Sequence, residues 1–252
     1  MNELFRLLSL LQEPHKFAEM FIQGVGKWSL AISAPDRFLA AAFEPSEKQI
    51  IESLVFYIAM LTITLFLFLL LAVAVGRKDL AAGAKVLGSA MFSLIFFMIL
   101  SVAFYFSFWL LGGKSGFWGT CVAYIYSATP YLPILAFLSW MMVSAMPADL
   151  RPFALNPGTA ELAGRLAVES DETEKFPFYF SMAAYFAVMF IGLFRTFQSL
   201  ALVHDMGSWQ LAGAIILYLL TAGVMKKLFD PITKLIVGEP EVRAEQAPPQ
   251  AL

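Results

Sequence analysis

Residue types that could perform acid–base or metal chemistry are scarce in this chain. His15 and His204 are the only histidines, and neither belongs to the H-x-x-H or H-E-x-x-H spacing that would hold a metal ion. The pair His204-Asp205 falls in a short turn before an apolar segment, where polar residues are expected without any function. Acid–base catalysis needs two polar groups that converge in a pocket without water, and no pattern here indicates one. We therefore predict no enzymatic activity, no catalytic residue, no metal site and no cofactor.

One segment matches part of a nucleotide-binding loop. The residues Gly113-Lys114-Ser115 match the end of the pattern G-x-x-x-x-G-K-S, but the first glycine of that pattern would fall at Phe108. The segment before it is apolar and helical in character, whereas a phosphate loop follows a strand. The glycines allow the chain to reverse between two membrane spans, and Lys114 can reach headgroup phosphates at the interface. The sequence therefore predicts a structural turn.

The third long apolar segment holds the residues best suited to a polar site inside a membrane. Pro130 and Pro133 each remove a backbone hydrogen bond and free a carbonyl, and broken helices build binding sites in transporters. The same prolines can be tolerated packing features, with Ser127 and Thr129 satisfying the freed groups. Tyr126 adds a polar tip to this segment. Both interpretations stay open at this point.

Two charged residues lie at the ends of apolar segments. Glu52 precedes the first of them and Arg195 directly follows the fourth. Both side chains can extend to the interface, which is the usual behaviour at such positions. Because each crossing reverses direction, both residues belong to the same membrane side, so a Glu52–Arg195 ion pair is also allowed. The apolar run 196–203 would carry Arg195 deeper into lipid and favours such a pair.

The composition is that of a membrane protein. Hydrophobic residues make up 60% of the chain and charged residues only 14%, more apolar surface than a soluble domain of this length could bury. The net charge of -2 provides no basic surface, which excludes nucleic acid as an expected partner. The single cysteine, Cys121, supports neither a disulfide framework nor a cysteine-based metal site.

Uncharged segments of bilayer length define the expected architecture. A helix needs roughly 20 apolar residues to cross a bilayer, and continuous runs of this kind exclude a barrel of alternating polarity. We predict an all-α polytopic transmembrane bundle with about five spans, occupying a membrane domain at 48–229 and followed by a flexible tail at 230–252. The five uncharged segments are 54–75, 86–111, 117–148, 176–194 and 206–225.

The region 1–47 before the membrane domain is amphipathic. Residues 1–11 have apolar side chains at helical spacing but are too short to span, and no cleavage site follows, so an interfacial helix is expected. A second short helix begins at Pro14 and is expected to end at Gly24 and Gly26. The alternative is that both helices pack on the protein's own spans.

The only sizeable connection between spans is 146–175. Asn156-Pro157 is a favourable helix start and predicts a short helix to about Val168. The acidic residues that follow form either a solvated face or a docking surface. From Gly238 onward the composition is typical of a disordered tail. The acidic residues are Glu169, Asp171, Glu172 and Glu174.

Four short motifs occur in a recognisable order. They are A-P-D-R-F at 34–38, S-L-V-F-Y at 53–57, L-G-G-K-S-G-F at 111–117 and Y-S-A-T-P at 126–130. This order resembles the Yip1-domain (YIP1 family) integral membrane proteins, which combine a P-x-x-F segment with five spans and an L-G-G-K/S-G turn before a third helix containing Tyr and Pro. The resemblance covers about 34–227 and is to the short type, because the D-L-Y-G-P element of the secretory-pathway members is absent. It implies a membrane-resident accessory role without established chemistry.

These observations favour one class of function and leave another open. We expect an accessory or scaffold subunit of the bacterial inner membrane, in contact with membrane lipids and with other membrane proteins or a second copy of itself. The alternative is a transporter or lipid-handling protein with a site at the third span. Lys and Arg near the span ends favour a cytoplasmic carboxyl terminus, whereas the family resemblance implies the opposite orientation, so the orientation stays open.

Overall fold

The computed structural model describes residues 14–74, 99–154 and 160–237, and every regular element in these ranges is helical. Residues 1–11, the proposed helix start at Asn156 and the tail from Gly238 lie outside the described residues. Two single 3₁₀ turns, Ala40–Ala42 and Thr129–Tyr131, interrupt the series. The α-helices are α1 Pro14–Ser33, α2 Asp36–Leu39, α3 Glu47–Ala74, α4 Ile99–Leu110, α5 Phe117–Ala128, α6 Leu132–Ser144, α7 Arg151–Ala154, α8 Ala160–Glu169, α9 Lys175–Val203 and α10 Ser208–Val237.

Four helical segments in the described ranges are long and apolar enough to cross a membrane, which is what a multi-pass protein requires. The predicted second span, 86–111, lies partly outside the described residues, and its described part is the shorter apolar helix α4. The structure therefore agrees with a polytopic helical bundle. The four segments are Glu47–Leu71, Phe117–Ser144, Lys175–Val203 and Ser208–Met225.

The segment Phe117–Ser144, named here the central span, is the most buried of the four candidate spans, with 72% of its apolar window covered by other parts of the protein. It packs between α3 and α9. The central span is broken, since α5 ends at Ala128 and α6 begins at Leu132. The prolines at 130 and 133 account for the break, because neither can donate the backbone hydrogen bond of a continuous α-helix. The 3₁₀ turn bridges the two halves.

Aromatic rings hold α4 against the other helices. The Phe104 ring of α4 stacks on Tyr218 of α10 with centroids 3.8 Å apart, and it meets Tyr124 of α5 at 5.0 Å and Phe197 of α9 at 5.5 Å. Phe104 is 1% exposed. Tilted, edge-on and offset arrangements of this kind add to the free energy gained from apolar burial. One side chain thus joins four helices.

Helix α1 is longer than the sequence suggests. The prediction that Gly24 and Gly26 end this helix is wrong, since α1 continues to Ser33. A Cβ atom at Gly24 would lie 3.5 Å from the Phe56 Cα atom and from the Ala59 Cβ atom of α3. Gly24 therefore permits a close approach of two helices, and tertiary packing outweighs the weak helix propensity of glycine.

A second, smaller hydrophobic core lies near the end of α6 and the start of α9. Ala145, Met146, Ala167 and Phe178 are buried together where α6, α8 and α9 meet. Arg151 donates hydrogen bonds to the Met146 and Ser144 carbonyls at 2.9 Å each, which satisfies free acceptors at the end of α6. Helix α8 ends at Glu169, close to the predicted end. The acidic side chains after it are exposed.

Helix α10 extends past the predicted boundary of the membrane domain. A flexible tail was expected from 230, but α10 continues through Pro231 to Val237. Extending an existing helix costs much less than starting a new one, so the loss of one hydrogen bond at a proline does not end it. The first residues of the expected tail, 230–237, are therefore helical.

Candidate functional site

The turn between α4 and α5 closes the carboxyl end of α4. Gly112 has a φ of +88°, the left-handed conformation that glycine adopts without strain. The Gly113 amide donates to the Phe108 carbonyl at 2.9 Å, and the Gly112 amide donates to the Trp109 carbonyl at 3.0 Å. These two bonds form a Schellman motif, which satisfies two of the free carbonyls at the helix end. The glycine pair in the sequence thus has a local structural reason.

The turn between α9 and α10 repeats this geometry without a glycine at the critical position. Asp205 has a φ of +52°, and the Met206 amide donates to the Ala201 carbonyl at 3.0 Å. Aspartate tolerates the left-handed conformation better than most residues other than glycine. The Gln210 side chain accepts a hydrogen bond from the Gly207 amide at 3.0 Å, next to the amino end of α10. Two Schellman turns therefore lie at the same end of the bundle.

Polar contacts join the two turns, and we call this contact region the turn junction, made of 111–116 and 204–210. Lys114 Nζ lies 2.6 Å from Asp205 Oδ2, and the Lys114 amide donates to the His204 carbonyl at 3.2 Å. Gln210 Nε2 donates to the Leu111 carbonyl at 3.2 Å. The hydrogen bond between the two charged side chains raises the pKa of Lys114 and lowers the pKa of Asp205. Lys114, expected to contact headgroup phosphates, is thus also part of an ion pair within the protein.

His204 is the buried centre of the turn junction. Its side chain is fully buried, with Nε2 2.9 Å from Thr120 Oγ1 of α5 and the ring 5.1 Å from the Phe108 ring. Its Nδ1 atom is buried and has no hydrogen-bond partner among the described residues. Burial lowers the pKa of His204 to about 4, so the ring is neutral at physiological pH.

The Nδ1 atom of His204 is closely packed. A Cβ atom at Gly113 would lie 2.3 Å from His204 Nδ1, so the space beside that nitrogen is filled by backbone. A polar turn was expected at His204-Asp205, but the burial of His204 was not. The run of apolar residues directly before it was the available signal.

The predicted residues of the central span are engaged in packing. Tyr126 stacks on Phe38 with ring centroids 4.5 Å apart and meets Phe56 at 5.1 Å. The Pro130 carbonyl accepts a hydrogen bond of 2.7 Å from Trp28 Nε1 of α1. Pro133 is buried in the first turn of α6. These contacts bring the amino-terminal region, α3 and the broken helix together.

The expected role of the two hydroxyl groups beside the break needs correction. Ser127 donates to the Ala123 carbonyl, and Thr129 donates to the Ile125 carbonyl. Neither is the carbonyl that a proline leaves free. The Thr129 carbonyl, which Pro133 cannot bond, accepts the Leu132 amide within the 3₁₀ turn. The tighter turn supplies the missing donor, which a prediction based on a straight helix did not include.

A cavity of about 150 Å³ lies beside the 3₁₀ turn. Tyr124, Tyr131 and Thr196 are among its lining residues, and Gly192 makes room for the Tyr131 ring, which would lie 3.2 Å from a Cβ atom there. Pockets for small organic ligands usually have a volume of about 300 to 1,000 Å³. The size of this cavity supports the interpretation of Pro130 and Pro133 as packing features.

The structure separates Glu52 from Arg195. Glu52 accepts a hydrogen bond of 2.9 Å from Lys27 Nζ of α1, and Lys48 Nζ lies 3.9 Å from its other carboxylate oxygen. Arg195 is exposed and borders a shallow depression that also contains Asp205. The predicted Glu52–Arg195 pair is therefore wrong. Its physical reason is that α1 continues past Gly24 and places Lys27 beside α3.

Comparison of this chain with family models, with curated proteins and with solved structures gives no significant match. Within the ranges 14–74, 99–154 and 160–237, no group of three or more His, Cys, Asp or Glu side chains is placed to hold a metal ion.

Proposed function

We propose that this chain is a multi-pass accessory or scaffold subunit of the bacterial inner membrane, which binds other membrane proteins or a second copy of itself and performs no catalysis. The observation that carries the proposal is the outer face of α10. Only 11% of the apolar window of α10 is covered by the protein itself. This helix offers more uncovered apolar surface than the other three candidate spans.

The exposed side chains of α10 fall on one face. Trp209, Ile216, Leu220 and Val224 follow one another at intervals of four or seven residues and are between 57% and 91% exposed. The opposite face packs inward, with Ala214 and Tyr218 buried. Membrane helices associate through such faces when side chains interlock and backbones approach closely. The outer face of α10 therefore suits a second transmembrane helix as well as lipid.

The polar groups of the chain support a role without chemistry. The hydroxyl groups of Thr64, Ser107 and Thr196 each donate to the carbonyl four residues earlier in their own helix. Lys114 and Asp205 join two turns. These hydroxyl protons and this ion pair serve contacts within the protein, which supports a structural role for them.

We further propose that this chain is related to the Yip1-domain proteins that its motifs resemble. Phe38 and Phe56, from two of the motifs that resemble Yip1-domain proteins, both contact Tyr126 from a third motif. Residues from three of the motifs are therefore in contact, which gives these motifs a shared structural role and supports the resemblance. We also propose that 86–111 forms a fifth span and that the residues before α1 form an interfacial amphipathic helix.

Site-specific photo-crosslinking in native membranes tests the subunit role. A photoreactive amino acid at Leu220, which is 64% exposed, should yield an adduct of discrete mass with a partner protein or with a second copy of this chain. The same residue at Ala214, which is fully buried, is the matched control and should yield only internal crosslinks. Lipid adducts alone at Leu220 would show that this face contacts only the bilayer, and the proposal would fail.

Thiol labelling tests the fifth span. Cysteines introduced at Lys48, in the first turn of α3, and at Asp171, before α9, are separated by three crossings if 86–111 spans the membrane and by two if it does not. We expect an impermeant reagent to label the two positions from opposite faces. Both side chains are largely exposed, and the native Cys121 is buried, so background labelling is small. Labelling from one face would refute the fifth crossing.

A further inference from the structure

A cleft of about 650 Å³ opens between α1 and the first turns of α3. Gly24 brings the two helices into contact at one side of it, where a Cβ atom would lie 3.5 Å from Phe56 Cα. The floor is formed by apolar side chains of both helices, namely Met20, Ile51 and Val55. The cleft lies at the beginning of a candidate span, so we expect it at the level where the headgroup region of a bilayer meets hydrocarbon.

Charges of both signs line the rim of this cleft. Lys27 and Lys48 supply two positive charges, and Glu47 and Glu52 supply two negative charges. The Lys27–Glu52 pair is half-buried with its atoms 2.9 Å apart, whereas the Lys48 side chain is 87% exposed and lies 3.9 Å from Glu52. Among the described residues that line the cleft, cations and carboxylates therefore lie side by side above apolar side chains.

A ligand that matches this arrangement has a compact headgroup with both charges and an apolar chain. Lysine ammonium groups bind phosphate oxygens, and carboxylates accept hydrogen bonds from a primary ammonium group. A quaternary ammonium is typically held by aromatic rings, and none of the described residues that line this cleft is aromatic. A headgroup with a phosphate but no ammonium group would bring a negative charge beside the Glu52 carboxylate and offer that carboxylate no donor.

We propose that this cleft binds one phospholipid with a zwitterionic headgroup containing a primary ammonium, as in phosphatidylethanolamine. The phosphate contacts Lys27 and Lys48, the ammonium contacts Glu52, and an acyl chain runs over Met20 and Ile51. The proposal is independent of the subunit role, since it concerns α1 and α3 rather than the outer face of α10.

Native mass spectrometry of the full chain in mild detergent tests the specificity. Purified protein is titrated with phosphatidylethanolamine, phosphatidylglycerol and phosphatidylcholine, each with the same acyl chains. We expect phosphatidylethanolamine to bind at least threefold more tightly than either of the others, with one molecule per chain. Equal or tighter binding of phosphatidylglycerol would overturn the charge argument, and equal or tighter binding of phosphatidylcholine would overturn the argument from the ammonium group.

Two variants locate the bound lipid. Lys48→Met removes an exposed phosphate contact while leaving the Lys27–Glu52 pair in place, and it should weaken phosphatidylethanolamine binding about threefold. Ile51→Trp fills the floor of the cleft and should weaken binding about tenfold or more. The matched control is Lys175→Met, which removes an exposed lysine that lies 3.7 Å from the Asp171 carboxylate, far from the cleft in the chain, and should leave lipid binding unchanged. Equal effects of Lys48→Met and Lys175→Met, or unchanged binding to a folded Ile51→Trp protein, would overturn the site.

Discussion

The central span and helix α10 have apolar windows of the same mean hydropathy, yet 72% of one window and 11% of the other are covered by the protein. Overall hydrophobicity therefore does not determine which helix becomes the centre of a membrane bundle. The two helices differ in the size of the residues that they present to their neighbours. The central span begins with Gly119 and Thr120 at positions of close contact, whereas the outer face of α10 presents large apolar side chains to its surroundings.

This difference predicts where substitutions should change stability. In the central span a side chain has neighbours on nearly every side, so a change of one methyl group alters packing. On the outer face of α10 the surroundings are lipid or a partner, and the isolated protein should tolerate changes there. Matched substitutions in the two helices should therefore change stability in detergent by different amounts.

Gly119→Ala should cause the largest loss. A Cβ atom at this position would lie 2.4 Å from the Ala42 carbonyl oxygen and 2.3 Å from Ser115 Oγ, so backbone must move to admit it. We expect a loss of about 3 kcal/mol, since overpacking costs about 1 to 3 kcal/mol and this contact is with backbone. The matched control is Gly223→Ala in α10, where nothing lies within 4 Å of a new Cβ atom. Equal melting temperatures for the two variants would refute the proposed difference in packing between the central span and α10.

Acidification should destabilise the turn junction, where the central span meets the turn before α10. The folded-state pKa of His204, about 4, lies below its ordinary value of 6.5, so between these values the unfolded chain binds more protons. Stability is therefore full above about pH 6.5 and falls as the pH is lowered toward 4, by about 3 kcal/mol for such a shift. The Lys114–Asp205 pair adds nothing in this window, because the pKa of Asp205 is lowered from 3.8 and that of Lys114 is raised from 10.5.

Thermal melts between pH 7 and pH 4 measure this effect. His204→Phe keeps a ring in the same space and should remove most of the pH dependence. His15→Gln changes the other histidine, which is exposed, and serves as the control. If His204→Phe retains the full slope, another group is responsible and the role of His204 at the junction is refuted.

Replacing Pro130 and Pro133 together with alanine distinguishes strain from packing in the central span. Alanine restores two backbone donors, and a continuous helix would place the Ile134 amide on the Pro130 carbonyl that Trp28 now occupies. Because Tyr131 packs against Gly192 around the bend, we expect a loss of about 2 kcal/mol rather than a gain. A higher melting temperature would instead indicate strain held for function, and the transporter alternative would regain support.

The smallest expected effect compares two tryptophans. Trp28→Phe leaves the Pro130 carbonyl without its donor and should cost about 1 to 2 kcal/mol. Trp209→Phe, at the exposed start of α10, should change stability by less than about 0.5 kcal/mol. Denaturant titration in detergent measures both. Equal losses would mean that the start of α10 is packed in solution and that its exposed face is misassigned.

Local sequence features predicted much of the fold. Pro130 and Pro133 predicted a broken third helix because a missing donor acts within one turn, and the glycines before Gly116 predicted a chain reversal because left-handed backbone is a local property. Glu52 and Arg195 show the opposite case. Their pairing was inferred from the order of the spans, but a salt bridge depends on which lysine or arginine lies within 4 Å, and α1 supplied Lys27.

The sequence by itself determined the class of this protein, since uncharged segments of bilayer length leave helical spans as the solution. It also determined where helices break and turn, because those preferences are local. Only the tertiary structure decided that Gly24 packs rather than terminates a helix, that His204 is buried against Gly113, and that one of two equally apolar helices lies at the centre. These outcomes depend on contacts between residues distant in the chain, and a one-dimensional pattern does not contain those contacts.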